Sequence, residues 1–387
     1  MMEENKELQQ YPGRIDLISF VFFYLIILIQ TILFTSFNTF FPHMSILMAK
    51  LVNILIILYF IYSILIKITR RKIIFTLIVL LIILSTVWYS GVFSPYIKLL
   101  ILSVAVPATI PSARNISKIF GIAMVTTMII TIWLSINGAL PQSGTASRSM
   151  ISNYQETVYF MGFNHPNAFG TFLSMIMMIF TFLFYKKYKW RVIIGLLLFA
   201  VIDIYIGAGT ASFSILILMI ILFLPIKLKK IYKIFYLLPT IVTLFSLWLS
   251  CNNTSNLGNF INTKVASRPN VWNAYITQYP IGFINKPPMV DVGGYSGILG
   301  NGVLDGSYIY ILIFWGILSW IIYNFIFISL LKFSIDINNK ALFGIAIAII
   351  INAFPESHMI MFYENVFLLF VGFYQYSIIE RRKILEL

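Results

Sequence analysis

One short stretch, ASRPNVWNAYITQYPIGFI at 266–284, sets an arginine beside aromatic residues in a chain that carries little charge. Pro269 suits the first turn of a helix, where its missing N–H costs nothing. Trp272, Tyr275 and Tyr279 then recur on one face of that helix. Rings of this kind favour a membrane–water interface, so the segment is predicted to lie along the outer surface. Arg268 falls at the helix N-terminus, itself a partial positive charge, and a cation is stable there only with an anion beside it. Two readings fit. The guanidinium holds a phosphate or diphosphate at headgroup depth, or it snorkels to a lipid phosphate as an ordinary anchor.

Three further segments carry groups able to move a proton or bind a polar ligand. GFNHPNAFG (162–170) places Asn164, His165 and Asn167 around a proline. Helix capping accounts for Asn164 but not for the histidine. LDGSYIYILIFWGI (304–317) opens a long apolar run with Asp305, and FPESHMIMFYENVFLLFVG (354–372) carries Glu356, His358 and Glu364 into another. A carboxylate such as Asp305 at a helix start is favoured in its ionised form, as a general base requires, although plain N-capping explains it equally. His165 and Glu356 are the next groups able to serve. Arg148, Lys264 and Lys286 are the further cations near these segments. Asp203, inside an apolar run, suits a structural ion pair with Lys50 or Lys98, and His43 has no motif around it.

The elements that position these groups follow from composition. The chain has 387 residues, 60% hydrophobic and 10% charged, whereas a soluble domain carries roughly 25% charged residues. Apolar runs at about 15–35, 44–66, 73–90, 96–111, 119–138, 166–185, 192–208, 210–225, 234–250, 308–330, 341–354 and 365–379 predict an all-α polytopic membrane protein with about twelve transmembrane helices. It is read as one transmembrane domain over 1–387, without internal repeats. The formal charge of +14 is a topology signal rather than a nucleic-acid surface. Most of the 27 Lys and Arg residues fall on the side of both termini, in KITRRK (67–72), KKYKWR (186–191) and KLKKIYK (227–233) among others. The positive-inside rule makes that side cytoplasmic. The acidic N-terminal MMEENKELQQYPGR lacks a basic n-region and a cleavage site, which predicts a cytoplasmic tail before an uncleaved first span. The opposite side receives all three histidines and two long loops, about 139–165 and 251–307, the second between spans nine and ten. Cys251 stands alone, so an intrachain disulfide is excluded.

In the second half of the chain these motifs resemble, in order and in common sidedness, the Wzy-type polysaccharide polymerases and the related O-antigen ligases. The resemblance rests on Arg268, Trp272, Pro280 and Gly282, then on Asp305, Gly306, Tyr308, Ile309 and Gly316, with the NHPN segment and the Glu-x-His ending. The first five spans match by topology alone. It implies a membrane-embedded glycosyltransferase of the GT-C type. Such an enzyme joins undecaprenyl-diphosphate-linked repeat units into a surface polysaccharide at the outer face of a bacterial cytoplasmic membrane. A sugar hydroxyl of one lipid-linked glycan attacks the anomeric carbon of another, and the lipid diphosphate leaves. The resemblance assigns Asp305, His165 and Glu356 to catalysis. It assigns Arg268, Arg148, Lys264, Lys286, Asn164, Asn167, Trp272, Tyr308 and His358 to the diphosphate and glycan. Neither a cofactor nor a metal is expected, since arginine would replace the divalent ion. The implied partners are the glycan donor and acceptor, membrane lipids, a flippase and a chain-length regulator.

Two departures stand out. Gly306 occupies a position that is usually Asn in the family, and IGAGTASFS (206–214) lacks the arginine that many members carry there. Asp305 stands where the ligases have His, which favours polymerase over ligase. A lipid-linked glycan flippase or other transporter is the rival from another class, because twelve spans with both ends inside is a common transporter layout. A transporter would line a central cavity with charge, whereas here charge gathers at one mouth.

Overall fold

The computed structural model describes residues 17–66, 70–90, 94–147, 155–225, 234–286 and 304–380. They are mostly helical. The first half holds α1 (Leu17–Leu33), the short α2 (Phe37–Phe40), α3 (Pro42–Ile66), α4 (Arg70–Ser90), α5 (Pro95–Thr109) and α6 (Ala113–Ile136). The hairpin β1 (Ser143–Ser147) and β2 (Gln155–Tyr159) pairs antiparallel, Ser143 opposite Tyr159. It occupies part of what the sequence gives as the loop 139–165. Then come α7 (Pro166–Phe184), α8 (Lys189–Tyr205), α9 (Gly209–Phe223) and α10 (Leu238–Cys251). Two helices follow inside the expected 251–307 loop, α11 (Asn256–Lys264) and α12 (Arg268–Gln278). The chain ends in α13 (Ser307–Phe314), α14 (Ile317–Asp336), α15 (Lys340–Asn352) and α16 (Phe370–Glu380), with 3-10 turns at His358–Ile360 and Val366–Leu369.

By length and composition, α3, α6, α7 and α14 are able to cross a membrane, and α1, α5, α9, α10 and α15 are shorter apolar helices. Their outward faces support the same environment. Leu47, Ile54 and Ile61 on α3, and Leu197, Leu198 and Val201 on α8, stand exposed in rows that water would not tolerate. The inward faces pack closely through small residues, as helices do in lipid. A Cβ added to Gly170 on α7 would lie 2.2 Å from the Cβ of Ala208, and one on Gly372 would lie 1.9 Å from the Ser103 carbonyl oxygen of α5.

The expected span 308–330 is not one helix. It breaks at Trp315–Gly316, where Gly316 has φ +87°, and resumes to Asp336. The break leaves helix-end groups without intrahelical partners, and the segment Pro280–Asn285 supplies them. Asn285 Nδ2 donates to the carbonyls of Leu312 (3.1 Å) and Ile313 (3.0 Å), while the N–H groups of Ile317 and Leu318 donate to the Gly282 and Phe283 carbonyls at 3.0 and 2.9 Å. A side chain at Gly316 would strike the Phe283 oxygen at 2.8 Å. Pro-Ile-Gly is thus a stitch across a broken helix. The expected last span 365–379 likewise begins as a 3-10 turn before α16.

Basic residues mark one end of the bundle. Arg114, in the first turn of α6, donates to the Leu183 carbonyl at the end of α7 at 3.5 Å, and Lys340, opening α15, donates to the Leu222 and Leu224 carbonyls at 2.8 and 2.5 Å. Cations at helix C-termini are favoured by the dipole. The start of α7, the start of α9 and the end of α15 therefore lie at the opposite end, and there the motif residues meet.

Candidate functional site

Arg268 is the first residue of α12, behind Ser267 at φ +57°. Its Nη2 donates to Glu356 Oε1 at 2.9 Å and to Asp305 Oδ2 at 3.2 Å. The anion that its position calls for is therefore supplied by the chain's own carboxylates. Burial works against the guanidinium's charge, but the two acids overcome it and raise its pKa above the usual arginine value. Its Nε is buried without a hydrogen-bond partner among the described residues.

The two acids differ in exposure. Glu356 is sealed, its side chain 1% exposed. Oε1 takes donors from three elements: Arg268, Thr210 Oγ1 at 2.7 Å from the first turn of α9, and Asn167 Nδ2 at 3.4 Å from the first turn of α7. Burial pushes its carboxyl up, against the pull of Arg268. Asp305 keeps 24% of its side chain open, with Ser357 Oγ donating to Oδ1 at 3.2 Å. It does not cap a helix. The N-cap of α13 is Gly306, which has no side chain to cap with, and Ser307 instead ties that helix start to the Glu356 carbonyl through its hydroxyl at 2.6 Å. Gly306 also explains the missing Asn: at φ +93° an added Cβ would lie 2.8 Å from Trp272 Cζ2 and 2.9 Å from the Phe354 oxygen.

His358 lies on the far side of Glu356. Its Nδ1 is 3.2 Å from Glu364 Oε2 and its Nε2 3.9 Å from Glu356 Oε2, and the ring meets Phe34 edge-on at 5.2 Å. Burial disfavours the imidazolium, but Glu364, Glu356 and Asp305 outweigh it and raise the pKa to about 9. Burial pushes the Glu364 carboxyl up, countered by His358. His165 is exposed at the start of α7 and feels Asp305, Arg268 and His358. Partial burial lowers its pKa, and its Nδ1 accepts from the Asn167 N–H at 3.2 Å. A neutral ring with Nδ1 used as acceptor carries its proton on Nε2, which makes His165 a donor rather than a base.

Several expectations change. His165, not Asn164, is the N-cap of α7, and Asn164 Nδ2 donates to the Phe34 carbonyl at 3.0 Å. The aromatic face of α12 does not lie at an interface. Trp272 and Tyr275 are buried in a satellite core with Leu249, Ile309 and Ile313, and Trp272 Nε1 donates to the Asp305 carbonyl. Tyr308 is fully buried and donates to the Ile350 carbonyl at 2.8 Å, so it braces α13 on α15 and has no free hydroxyl for a ligand. Lys264 is exposed, its Nζ 5.7 Å from the Phe260 ring centre, and Lys286 is exposed; neither makes an ion pair in the cluster. Arg148 lies outside the described residues. Among the described residues Asp203 has no lysine partner: its Oδ2 accepts from Ser174 Oγ at 3.1 Å, and Lys98 donates to Gln30. Thr210 was not foreseen. It falls in the segment without the expected arginine, and a lone threonine among small residues carries no signal of its own.

Asn167, Thr210, Arg268, Asp305, Glu356 and His358 therefore converge from separate parts of the chain. The arrangement offers an accessible carboxylate beside a guanidinium anchored on a second, sealed carboxylate. No family model, no curated protein and no solved structure matches the chain.

Proposed function

We propose that the protein is a Wzy-type polymerase of lipid-linked oligosaccharides. It spans the bacterial cytoplasmic membrane twelve times, counting α13 and α14 as one broken span and Val366–Glu380 as the last, and works at the outer face. One observation carries the reading: Arg268 lies within hydrogen-bond distance of both Asp305 and Glu356, with His358 3.9 Å from Glu356, so the motif residues on which the resemblance rests meet at the bundle end opposite Arg114 and Lys340.

The reaction needs a base for the acceptor hydroxyl and a cation for the departing diphosphate. Asp305 is the acid open enough to receive the proton. Glu356 is the anchor that keeps Arg268 in place when its other contact changes. On arrival, the donor diphosphate takes the Nη2 edge from Asp305, and the released carboxylate accepts the proton of the acceptor hydroxyl as the new glycosidic bond forms and the diphosphate departs. His165 Nε2–H donates to the sugar or to the departing oxygen. Resting contact with Arg268 keeps Asp305 occupied until donor is bound.

The test is elongation of lipid-linked repeats by purified protein. Asp305→Asn should bind the lipid-linked substrate and lose at least about 10²-fold in turnover. Full activity in that variant would remove Asp305 as the base. Transfer only to a lipid or protein acceptor other than a lipid-linked repeat unit would make the protein a ligase, and translocation without bond formation would make it a flippase.

A further inference from the structure

The two helices inside the 251–307 loop bury opposite kinds of residue. α12 turns Trp272 and Tyr275 into a satellite core, and α11 does the reverse. Leu257, Phe260, Ile261 and Lys264 recur on α11 at i, i+3, i+4 and i+7, which places them on one face. That face looks away from the protein. Leu257 is 46% and Phe260 59% exposed, and only Ile261, at its edge, packs on the satellite core. The residues turned inward are Gly258 and Asn262. A Cβ on Gly258 would lie 2.2 Å from the Asn252 carbonyl oxygen. Asn262 donates through Nδ2 to the Asn253 carbonyl at 3.0 Å and to Asn270 Oδ1 at 2.9 Å, while its Oδ1 accepts from the Asn270 N–H at 3.3 Å. A helix that buries its amide and presents leucine and phenylalanine is inside out for water, where each such side chain forgoes about 1.5–3 kcal/mol of burial.

Two observations identify the medium it faces. The first is continuity with a lipid-facing row. Ile241, Leu244 and Trp248 stand exposed on α10 at i, i+3 and i+7, and the row ends on a tryptophan, a ring that favours the membrane–water boundary. That end of α10 lies with the cluster, because Asn273 Nδ2 of α12 donates to the Ser250 carbonyl at 2.9 Å. The second is charge. Lys264 is the one charged residue of α11, exposed, with its Nζ 5.7 Å from the Phe260 ring centre. Among the described residues no ion pair involves it. An ammonium whose stem lies along an apolar face, with no carboxylate beside it, suits the phosphate of a lipid headgroup.

We infer that α11 docks on the phospholipid leaflet at the cluster's end of the bundle, with Leu257 and Phe260 in the acyl-chain boundary and Lys264 on a headgroup phosphate. The contact holds whether or not the chain is a polymerase. It also bears on the site, because α11 is firmly joined to the start of α12. The Ser267 N–H donates to the Asn262 carbonyl at 2.8 Å and Asn262 grips Asn270, on either side of Arg268.

Nitroxide labels on single cysteines read this environment directly. The full-length Cys251→Ser protein is reconstituted in vesicles of phosphatidylethanolamine and phosphatidylglycerol, and power saturation compares dissolved oxygen with a water-soluble nickel chelate. Labels on Leu257→Cys and Phe260→Cys should be relaxed mainly by oxygen, and labels on Asn259→Cys and Thr263→Cys mainly by the chelate. Chelate access at 257 and 260 equal to that at 259 and 263 would overturn the docking. Exclusion of both relaxants at 257 and 260 would also overturn it, because it would show cover by protein, a second copy or another chain. Lys264→Glu sets a carboxylate among the phosphates and should raise chelate access at Phe260→Cys; unchanged access would overturn the phosphate contact. Failure of the polymerase reading would show in the elongation assay and leave the relaxation pattern as it is.

Discussion

The two ends of the bundle use the same residue types for different work. At one end, Arg114 and Lys340 hold the last carbonyls of neighbouring helices, neutral partners that any cation of sufficient reach satisfies. At the other, Arg268 is held by two carboxylates from different parts of the chain, one sealed and one open. A cation on a helix end is a clamp, and its loss costs a contact. A guanidinium between a sealed acid and an open one is a hub. Removing it leaves charge in a place that cannot hold charge alone.

The largest test of this contrast is sidedness itself. Cys251, the chain's lone cysteine, is exposed at the end of α10. A membrane-impermeant maleimide should label it in intact cells, while a cysteine replacing Lys187, with Cys251→Ser, should react only after permeabilisation. Labelling of Cys251 from the inside alone would put the cluster on the wrong side of the membrane for its substrate. Next, Arg268→Ala should cut elongation by at least about 10²-fold. Charged hydrogen bonds contribute about 1.5–3 kcal/mol each, and ~1.4 kcal/mol is a factor of ten. Arg268→Lys should rescue little because the fork is lost. A lysine variant with full activity would reduce Arg268 to an anchor of the kind found at the other end.

Smaller effects should follow from His358 and Lys340. The folded-state pKa of His358, about 9, lies above its ordinary 6.5. Its stabilisation is therefore complete below about pH 6.5 and is lost as pH rises through about 9. The thermal midpoint in detergent should drop between pH 7 and pH 10, and the drop should shrink in His358→Gln; equal drops in both would show that the histidine is not the titrating group. Smallest of all, Lys340→Ala should leave elongation unchanged and lower stability by no more than about 1 kcal/mol. A large loss of activity there would erase the distinction between the two ends.

Much of this was legible in the sequence. The apolar runs gave helices close to their observed limits, since a run of that length has few other ways to satisfy its backbone in lipid. Arg268, Asp305, Glu356 and His358 stand out in the sequence because charge is scarce in this chain and because they fall in the motifs of the resemblance. The partner of Arg268 was not legible: position called for an anion, but nothing local distinguishes a phosphate from carboxylates at 305 and 356. The break at Gly316 is hidden as well, because residues 307–331 carry no charge and the groups that repair the break come from Pro280–Asn285, distant in the chain. Asp203 failed for a related reason. Its place in an apolar run implies burial, but a serine hydroxyl on a neighbouring helix, rather than a lysine, is its partner among the described residues.

The stitch at Asn285 also turns part of the 251–307 loop into a ruler. Arg268 is fixed at one end by Glu356, and Asn285 is fixed at the other by the carbonyls of a broken helix. Both marks are set by elements that the loop does not control, so the number of residues between them is not free to change. A single-residue insertion between Gln278 and Pro280 should move Asn285 off its carbonyls. An insertion at Thr254, outside those marks and in a turn, should be absorbed. Homologous chains should therefore hold this interval constant while varying in length around it.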